Sequence, residues 1–184
     1  MRCAVSAAWP ERFAMPAALA AQGYALRPER DDDIPFLRSL YSTTRERELA
    51  LVPWTAEQKE LFTDQQFGAQ RFHYRKFFPA TAFDLIERDG EPVGRIYTDI
   101  RVSHIHLIDI ALLPPVRGRG VGTALIAALQ DLARERAMGV ALFVEAYNPA
   151  QHLYRRLGFS EIGEPGVQIE MEWRPAAIRR RTLS

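Results

Sequence analysis

The stretch with the clearest chemical pattern is VRGRGVG, residues 116–122, in which glycine stands at every second position from residue 118. It follows the apolar run IHLIDIALLPP and precedes the helical pattern TALIAALQDLARERA, so it is predicted to turn from a strand into a helix. Main-chain N–H groups and the positive end of the helix dipole converge at such a turn and can bind an anion. Gly118 and Gly120 could serve only to make the turn tight, but the flanking arginines favour a phosphate ligand.

Two common phosphate loops do not fit this stretch. A nucleoside-triphosphate loop requires GxxxxGK[ST], and no lysine follows these glycines. A dinucleotide fingerprint requires GxGxxG early in a parallel unit, whereas this GxGxG follows strands that are predicted to be antiparallel. An oxidoreductase that binds NAD is therefore ranked third, after the two functions described below.

The pattern that remains is [QR]xxGx[GA], which Arg117, Gly120 and Gly122 satisfy. The stretch resembles the acetyl-CoA pyrophosphate loop of the GNAT superfamily of N-acetyltransferases. A second stretch, VEAYNPAQHLYRRLGF, is similar to the superfamily signature NxAxxLYxxLGF, with one residue fewer between Asn148 and Tyr154 than in the common form. The two motifs occur at the expected separation, and the resemblance covers about residues 81–173.

The resemblance implies a donor site for acetyl-CoA and no metal. Backbone amides of residues 117–122 would hold the pyrophosphate, and the strand that ends at Leu112 would diverge from the strand at 140–145. The pantetheine arm would then pair with main chain near Ile110 and Leu112. The implied cofactor-binding residues are Ile110, Leu112, Arg117, Gly118, Arg119, Gly120, Val121, Gly122, Thr123 and Asn148.

The chemistry that the resemblance implies is direct transfer of an acetyl group from acetyl-CoA to a primary amine in a ternary complex. Tyr154 matches the family's tyrosine that protonates the departing sulfur. The alternative is that Tyr154 packs as an ordinary residue of an amphipathic helix with its hydroxyl in water.

His106 and Asp109 are the candidates for the general base. Strict strand alternation places them on opposite faces of their strand unless a bulge reverses the order. His106 resembles a histidine that some branches of the superfamily carry near the acceptor amine, and imidazole titrates near neutral pH. Asp109 is the second candidate; it could instead be a structural acceptor bonded to loop amides, with His106 exposed on the sheet. His104 and His106 lack a third ligand at a recognisable spacing, so a metal site is not predicted.

The composition of the 184 residues is that of a soluble globular protein, with 47% hydrophobic and 26% charged residues. The formal net charge of +1 predicts no nucleic-acid partner, and the absence of a long apolar run predicts no membrane partner. The single cysteine, Cys3, excludes an internal disulfide and suits a reducing compartment, so a cytoplasmic location is expected. The sequence leaves open whether the chain forms a homodimer.

The periodicity predicts one domain of α/β class. We expect a disordered or loosely packed extension at residues 1–22, a single GNAT-like domain at 23–174 and a basic tail at 175–184. The domain should contain a mixed, mostly antiparallel sheet of six or seven strands with about four flanking helices and a splayed strand pair for the cofactor.

Two N-terminal helical segments are predicted, and the second, a helix or helix pair, begins at a cap at Thr55 and ends before Pro79. The acceptor site is expected at these helices and at their connection, YSTTRERELALVPW. Glu46 and Glu48 could receive a cationic amine, or they could be solvated partners of Arg45 and Arg47. The acceptor would be a small-molecule or peptide amine. The alternative function is a catalytically silent domain that binds acyl-CoA as a sensor or in an assembly.

Overall fold

A mixed sheet organises the part of the chain that the structure describes, residues 12–163 and 166–176 of a computed structural model. Its seven strands are β1 (Tyr24–Pro28), β2 (Ala82–Arg88), β3 (Glu91–Ile100), β4 (His104–Leu112), β5 (Gly139–Glu145), β6 (Ser160–Ile162) and β7 (Gln168–Trp173). They lie in the order β1, β2, β3, β4, β5, β7, β6. Neighbouring strands are antiparallel except β4 and β5, which are parallel because α4 connects them.

Five α-helices accompany this sheet within the described residues: α1 (Ala17–Ala20), α2 (Ile34–Ala50), α3 (Ala56–Phe77), α4 (Val121–Glu135) and α5 (Ala150–Arg156). The predicted fold class is confirmed, with seven strands and with the short α1 added to the predicted helices. In this part of the chain, no helix is both long enough and apolar enough to cross a membrane.

The sheet is covered on both faces, as the alternation along β2 demonstrates. Ile86 packs in the cluster that contains the apolar side of α4, whereas its neighbour Leu85 packs with Leu37 and Phe67 of α2 and α3. The α4 residues in the first cluster recur at helical spacing: Val121, Leu125, Ile126, Leu129 and Ala133. Consecutive side chains of a strand point to opposite faces of the sheet. Each therefore packs either toward α4 or toward α2 and α3.

The helix α2 is longer than the sequence pattern predicts. Residues 41–54 were expected to form a connection, but the helix continues to Ala50. The run RERELA consists of good helix formers, and Arg45 pairs with Glu48 one turn later at 3.1 Å. Most of the expected connection is consequently a rigid helix face, and only the short segment before α3 is loop.

The start of α3 follows the predicted cap at Thr55. Thr55 Oγ1 accepts a hydrogen bond from the Gln58 N–H at 3.3 Å, and Gln58 Oε1 accepts one from the Thr55 N–H at 2.9 Å. This capping box satisfies two N–H groups at the helix start. The segment forms one helix that ends before Pro79, where the sequence left open a pair of helices.

The described part of the N-terminal extension is packed more closely than expected. Phe13 and Leu19 are buried in the main core, and Arg12 forms an ion pair with Asp84 of β2. Two large apolar side chains in a short segment bury enough surface to hold it against the domain. Cys3 and the part of the basic tail after residue 176 lie outside the described residues.

Candidate functional site

The parallel strands β4 and β5 separate halfway along their length. Their paired residues run from His104 opposite Gly139 to Leu107 opposite Leu142, and the pairing recorded for the described residues ends there. Tyr97 lies opposite Asp109 and Thr98 lies opposite Leu107, so Ile108 is an extra residue in β4. A bulge of this kind bends its strand and interrupts the ladder. The splay that the resemblance implies is present, and the bulge at Ile108 accounts for it.

The glycine-rich turn lies directly after the splayed end of β4. Gly118 has φ of +72° and Gly120 has φ of +84°, and Gly120 is the N-cap residue of α4. The first recorded bond of the helix runs from the Ala124 N–H to the Gly120 carbonyl at 2.9 Å. The N–H groups of residues 121–123 precede that bond and point out of the helix end. A Cβ added at either glycine would meet no heavy atom within 4 Å, so the turn is open to a ligand.

The side chain of Arg117 is directed away from the helix end. Its Nε donates to the Leu112 carbonyl at 2.7 Å, and its Nη2 donates to Thr43 Oγ1 of α2 at 2.6 Å. The Arg117 side chain therefore connects the turn to both β4 and α2. Arg119 is exposed, as a solvated arginine would be.

Ile110 and Leu112 lie on the splayed part of β4, beyond the bulge. Both side chains are partly buried against the core layer of α4. Their strand remains paired with β3 on its other edge, where Ile96 lies opposite Ile110 and Gly94 lies opposite Leu112. The edge that faces β5 is thus the one that could pair with an extended ligand.

Asn148 has a structural role at the start of α5. Its Oδ1 accepts a hydrogen bond from the Ala150 N–H at 2.9 Å, which closes a turn before the helix. Gln151 holds the helix to the end of β5, because its Nε2 donates to the carbonyls of Glu145 at 3.0 Å and Ala146 at 2.7 Å. The sequence pattern did not single out Gln151, and the available signal was a polar residue one turn before Tyr154 on the same short helix.

Tyr154 is buried on α5, with its ring centroid 5.8 Å from that of Phe159. Burial raises the pKa of its hydroxyl, and the negative charge of Asp109 raises it further. The hydroxyl therefore holds its proton at neutral pH and can donate it.

The bulge brings His106 and Asp109 to the same face of the sheet, although strict alternation predicts opposite faces. Asp99 lies opposite His106 and Tyr97 lies opposite Asp109. These two β3 residues are two positions apart and share a face. The two candidate bases are thus brought together by the extra residue in β4.

His106 is not an exposed sheet residue, which was the alternative considered for it. It is 8% exposed, and its ring centroid lies 5.7 Å from that of Phe78 and 5.6 Å from that of Phe143. Burial lowers its pKa to about 4, and the charges of Arg101 and His104 act in the same direction. At neutral pH the imidazole is neutral and a weak base.

Burial of His106 makes the stability depend on pH. Its pKa is about 4 in the folded chain and about 6.5 in the unfolded chain, so the unfolded state binds more protons between these values. We expect the free energy of unfolding to fall by roughly 2 kcal/mol as the pH falls from 6.5 to 4, after allowance for partial solvation. His106→Phe should remove this loss in urea titrations across that range, whereas His152→Phe, at an exposed position on α5, should retain it. If the free energy of unfolding depended equally on pH in wild type and His106→Phe, its attribution to His106 would be wrong.

Asp109 lies beyond the bulge and is paired with a buried arginine, not with loop amides. Arg95 Nη2 donates to Asp109 Oδ2 at 2.5 Å and to Gln70 Oε1 of α3 at 2.8 Å. The Arg95 side chain is 4% exposed and that of Asp109 is 16% exposed. Arg95 was missed by sequence reasoning, although a single arginine inside the apolar strand PVGRIYTDI was a visible signal.

A second ion pair crosses the open side of the splay. Arg45 of α2 forms two hydrogen bonds with Glu145 at the end of β5, at 2.9 and 3.2 Å. Arg45 also pairs with Glu48 at 3.1 Å and donates to the Tyr41 hydroxyl at 3.2 Å. Glu48 is therefore a partner of Arg45, as the alternative for it proposed. Among the described residues, no group of three histidines, cysteines or carboxylates is placed to hold a metal ion.

Comparison with known proteins gives one family match. The model of the acetyltransferase (GNAT) family matches residues 36–159. The chain is 38% identical over 96 residues to the N-alpha-acetyltransferase of Sulfurisphaera tokodaii, which is 44% of this chain and 58% of that protein. It is 34% identical over 90 residues to the mycothiol acetyltransferase of Streptomyces griseus, which is 46% of this chain and 29% of that protein. The chain thus matches less than two thirds of either relative.

The fold is also found among solved structures. The PaiA N-acetyltransferase of Thermoplasma acidophilum in complex with coenzyme A superposes with a TM-score of 0.60 and 15% sequence identity. The match covers 83% of this chain and 99% of that protein. At this identity the likeness establishes the fold.

Proposed function

Because the chain belongs to the GNAT family of acetyltransferases, we propose that it transfers an acetyl group from acetyl-CoA to a primary amine by direct attack in a ternary complex. The observation that carries the proposal is the combination of three features: an open helix N-terminus, a splayed strand pair, and a buried tyrosine in the core cluster that also contains Val121 at the start of that helix. The name of the similar N-alpha-acetyltransferase supports an amine acceptor.

The donor side uses main chain more than side chains. The N–H groups of residues 121–123 and the backbone of residues 117–120 would bind the pyrophosphate, with the Thr123 hydroxyl beside them. The edge of β4 that faces β5 would pair with the pantetheine amides through main chain near Ile110 and Leu112, with the Leu112 carbonyl already bound by Arg117. The open space at the two glycines fits a phosphate group, since a side chain there would occupy the same volume.

Acetyl-CoA supplies a thioester whose carbonyl carbon is attacked by the amine nitrogen while the carbon–sulfur bond breaks. Tyr154 donates its proton to the departing sulfur, since its hydroxyl is protonated at neutral pH. The nitrogen loses one proton to a base on the opposite side. Such proton transfers typically contribute about 10²- to 10⁴-fold each.

We assign the base role to Asp109 in preference to His106. Asp109 lies on the splayed part of β4, and its charge contributes to the raised pKa of Tyr154, whereas His106 lies where β4 and β5 are still paired. Arg95 would orient the Asp109 carboxylate toward the amine by holding one of its oxygens.

The two candidate bases can be separated by substitution. We expect Asp109→Asn to lower kcat by at least about tenfold, because the amide cannot accept the proton, and His106→Phe to change kcat by less than about threefold. Both variants should be measured by single-turnover kinetics after circular dichroism has established folding, because Asp109→Asn leaves Arg95 without its carboxylate. Asp109→Glu serves as a second variant that retains the charge. A large loss in folded His106→Phe together with normal turnover in Asp109→Asn would transfer the role to His106.

The proposed activity is tested by incubating the protein with acetyl-CoA and a broad panel of primary amines while free thiol is detected. Thiol release that depends on an amine supports the transferase. A thermal shift with acetyl-CoA but no release with any amine would support the silent acyl-CoA sensor instead. Stabilisation by NAD and not by acetyl-CoA would reject both.

A further inference from the structure

The ion pair between Arg45 and Glu145 joins two elements that are a hundred residues apart in the chain. Glu145 ends β5 on the open side of the splay, and its carbonyl is held by Gln151 of α5, one turn before Tyr154. Arg45 also donates to the Tyr41 hydroxyl, and the Tyr41 ring lies 6.0 Å from that of Phe67 in α3. Arg95 joins Asp109 to Gln70, one turn further along α3. Glu145 and Asp109 are therefore both connected, through their arginines, to the same part of α3.

In the described part of the chain, Arg45 has more than one oppositely charged partner, whereas Glu145 has one. Arg45 contacts two carboxylates, Glu145 and Glu48, and also the Tyr41 hydroxyl. The one cationic group recorded against Glu145 in the described residues is Arg45. If another cation replaced Arg45 at Glu145, Arg45 would keep Glu48 as a partner. If instead an anion took Arg45, the Glu145 carboxylate would lose its cation.

The exposure of the two side chains also favours replacement of Arg45 by another cation over replacement of Glu145 by an anion. The Glu145 side chain is 41% exposed, whereas that of Arg45 is 23% exposed. Partly exposed ion pairs contribute little to stability, so exchange of one cation for another costs little. The bidentate contact also establishes that both Glu145 oxygens can bind a cation from the side of the splay.

We propose that Glu145 is a specificity-determining residue that binds a second cationic group of the acceptor, displacing Arg45 from its carboxylate. The inference rests on the proposed function, because it takes the acceptor amine to lie at the splay beside Asp109. The acceptor class is then a primary amine with another ammonium or guanidinium group.

Three ligands of equal chain length test the proposal: 1,4-diaminobutane, n-butylamine and 4-aminobutanoate. They differ in whether the end distant from one amine is cationic, neutral or anionic. By calorimetry on the CoA-bound protein, we expect the diamine to bind about tenfold more tightly than butylamine and 4-aminobutanoate to bind most weakly. Glu145→Gln should reduce the preference for the diamine to less than about threefold.

The matched control is Glu135→Gln, which removes the same charge from an exposed position. Glu135 is the last residue of α4, at the opposite end of that helix from the glycine-rich turn. This variant should retain the wild-type preference. An unchanged preference in Glu145→Gln would overturn the proposal, and so would tightest binding of 4-aminobutanoate, since Arg45 would then select the acceptor.

Thiol release with acetyl-CoA and the same three ligands separates this inference from the proposed function. Binding that depends on Glu145 without thiol release would retain the cation site and reject the transferase. Transfer to an amine with a preference that does not depend on Glu145 would retain the transferase and reject the cation site.

Discussion

Gly120→Asp is expected to weaken acetyl-CoA binding by about 100-fold or more. Gly120 caps α4 at φ of +84°, and the space beside its Cα is open to solvent in the free protein. A carboxylate there would occupy the position proposed for the pyrophosphate and would repel it. It would also accept hydrogen bonds from the N–H groups of the helix end, which removes them as ligands.

Gly120→Asn is the control for this substitution, because asparagine has nearly the same shape and tolerates positive φ without carrying charge. Titration calorimetry should give a much smaller loss of acetyl-CoA affinity for Asn than for Asp, with similar thermal melting of the two apo variants. If wild type and Gly120→Asp bound acetyl-CoA with equal affinity, this turn would not bind the pyrophosphate.

Tyr154→Phe is expected to lower kcat by about 100-fold while acetyl-CoA affinity stays within a few-fold of wild type. The substitution removes one hydroxyl from a buried ring and leaves the contact with Phe159 in place. The departing sulfur would then leave as an unprotonated thiolate, which raises the barrier of the chemical step. Binding should be little affected, because the proposed phosphate contacts are main-chain groups of the turn before α4 and do not include the Tyr154 hydroxyl.

Single-turnover kinetics must accompany steady-state rates for this variant, because product release could limit wild-type turnover and conceal a slower chemical step. Tyr147→Phe is the matched control, since Tyr147 is exposed in the turn before α5. It should retain wild-type rates. Wild-type single-turnover rates in Tyr154→Phe would exclude the tyrosine from the proton transfer.

Local sequence patterns determined much of the architecture, because they depend on residues that are close together in the chain. The glycines at residues 118 and 120 predicted the turn, because positive φ is sterically open to glycine, and both adopt it. The Thr55 cap and the apolar spacing in α4 predicted those two helices for equally local reasons. The two motifs also predicted the family that the comparison establishes.

The arrangement of the candidate site was decided by contacts between residues distant in sequence. A bulge depends on how two strands pair, so Ile108 could not be identified from β4 alone, and the shared face of His106 and Asp109 depends on it. His106 is packed against Phe78, directly after α3, and Phe143 of β5, and the partner of Asp109 comes from β3. Periodicity assigns a residue to a face of its own element, but the groups opposite that face are assembled only when the elements pack.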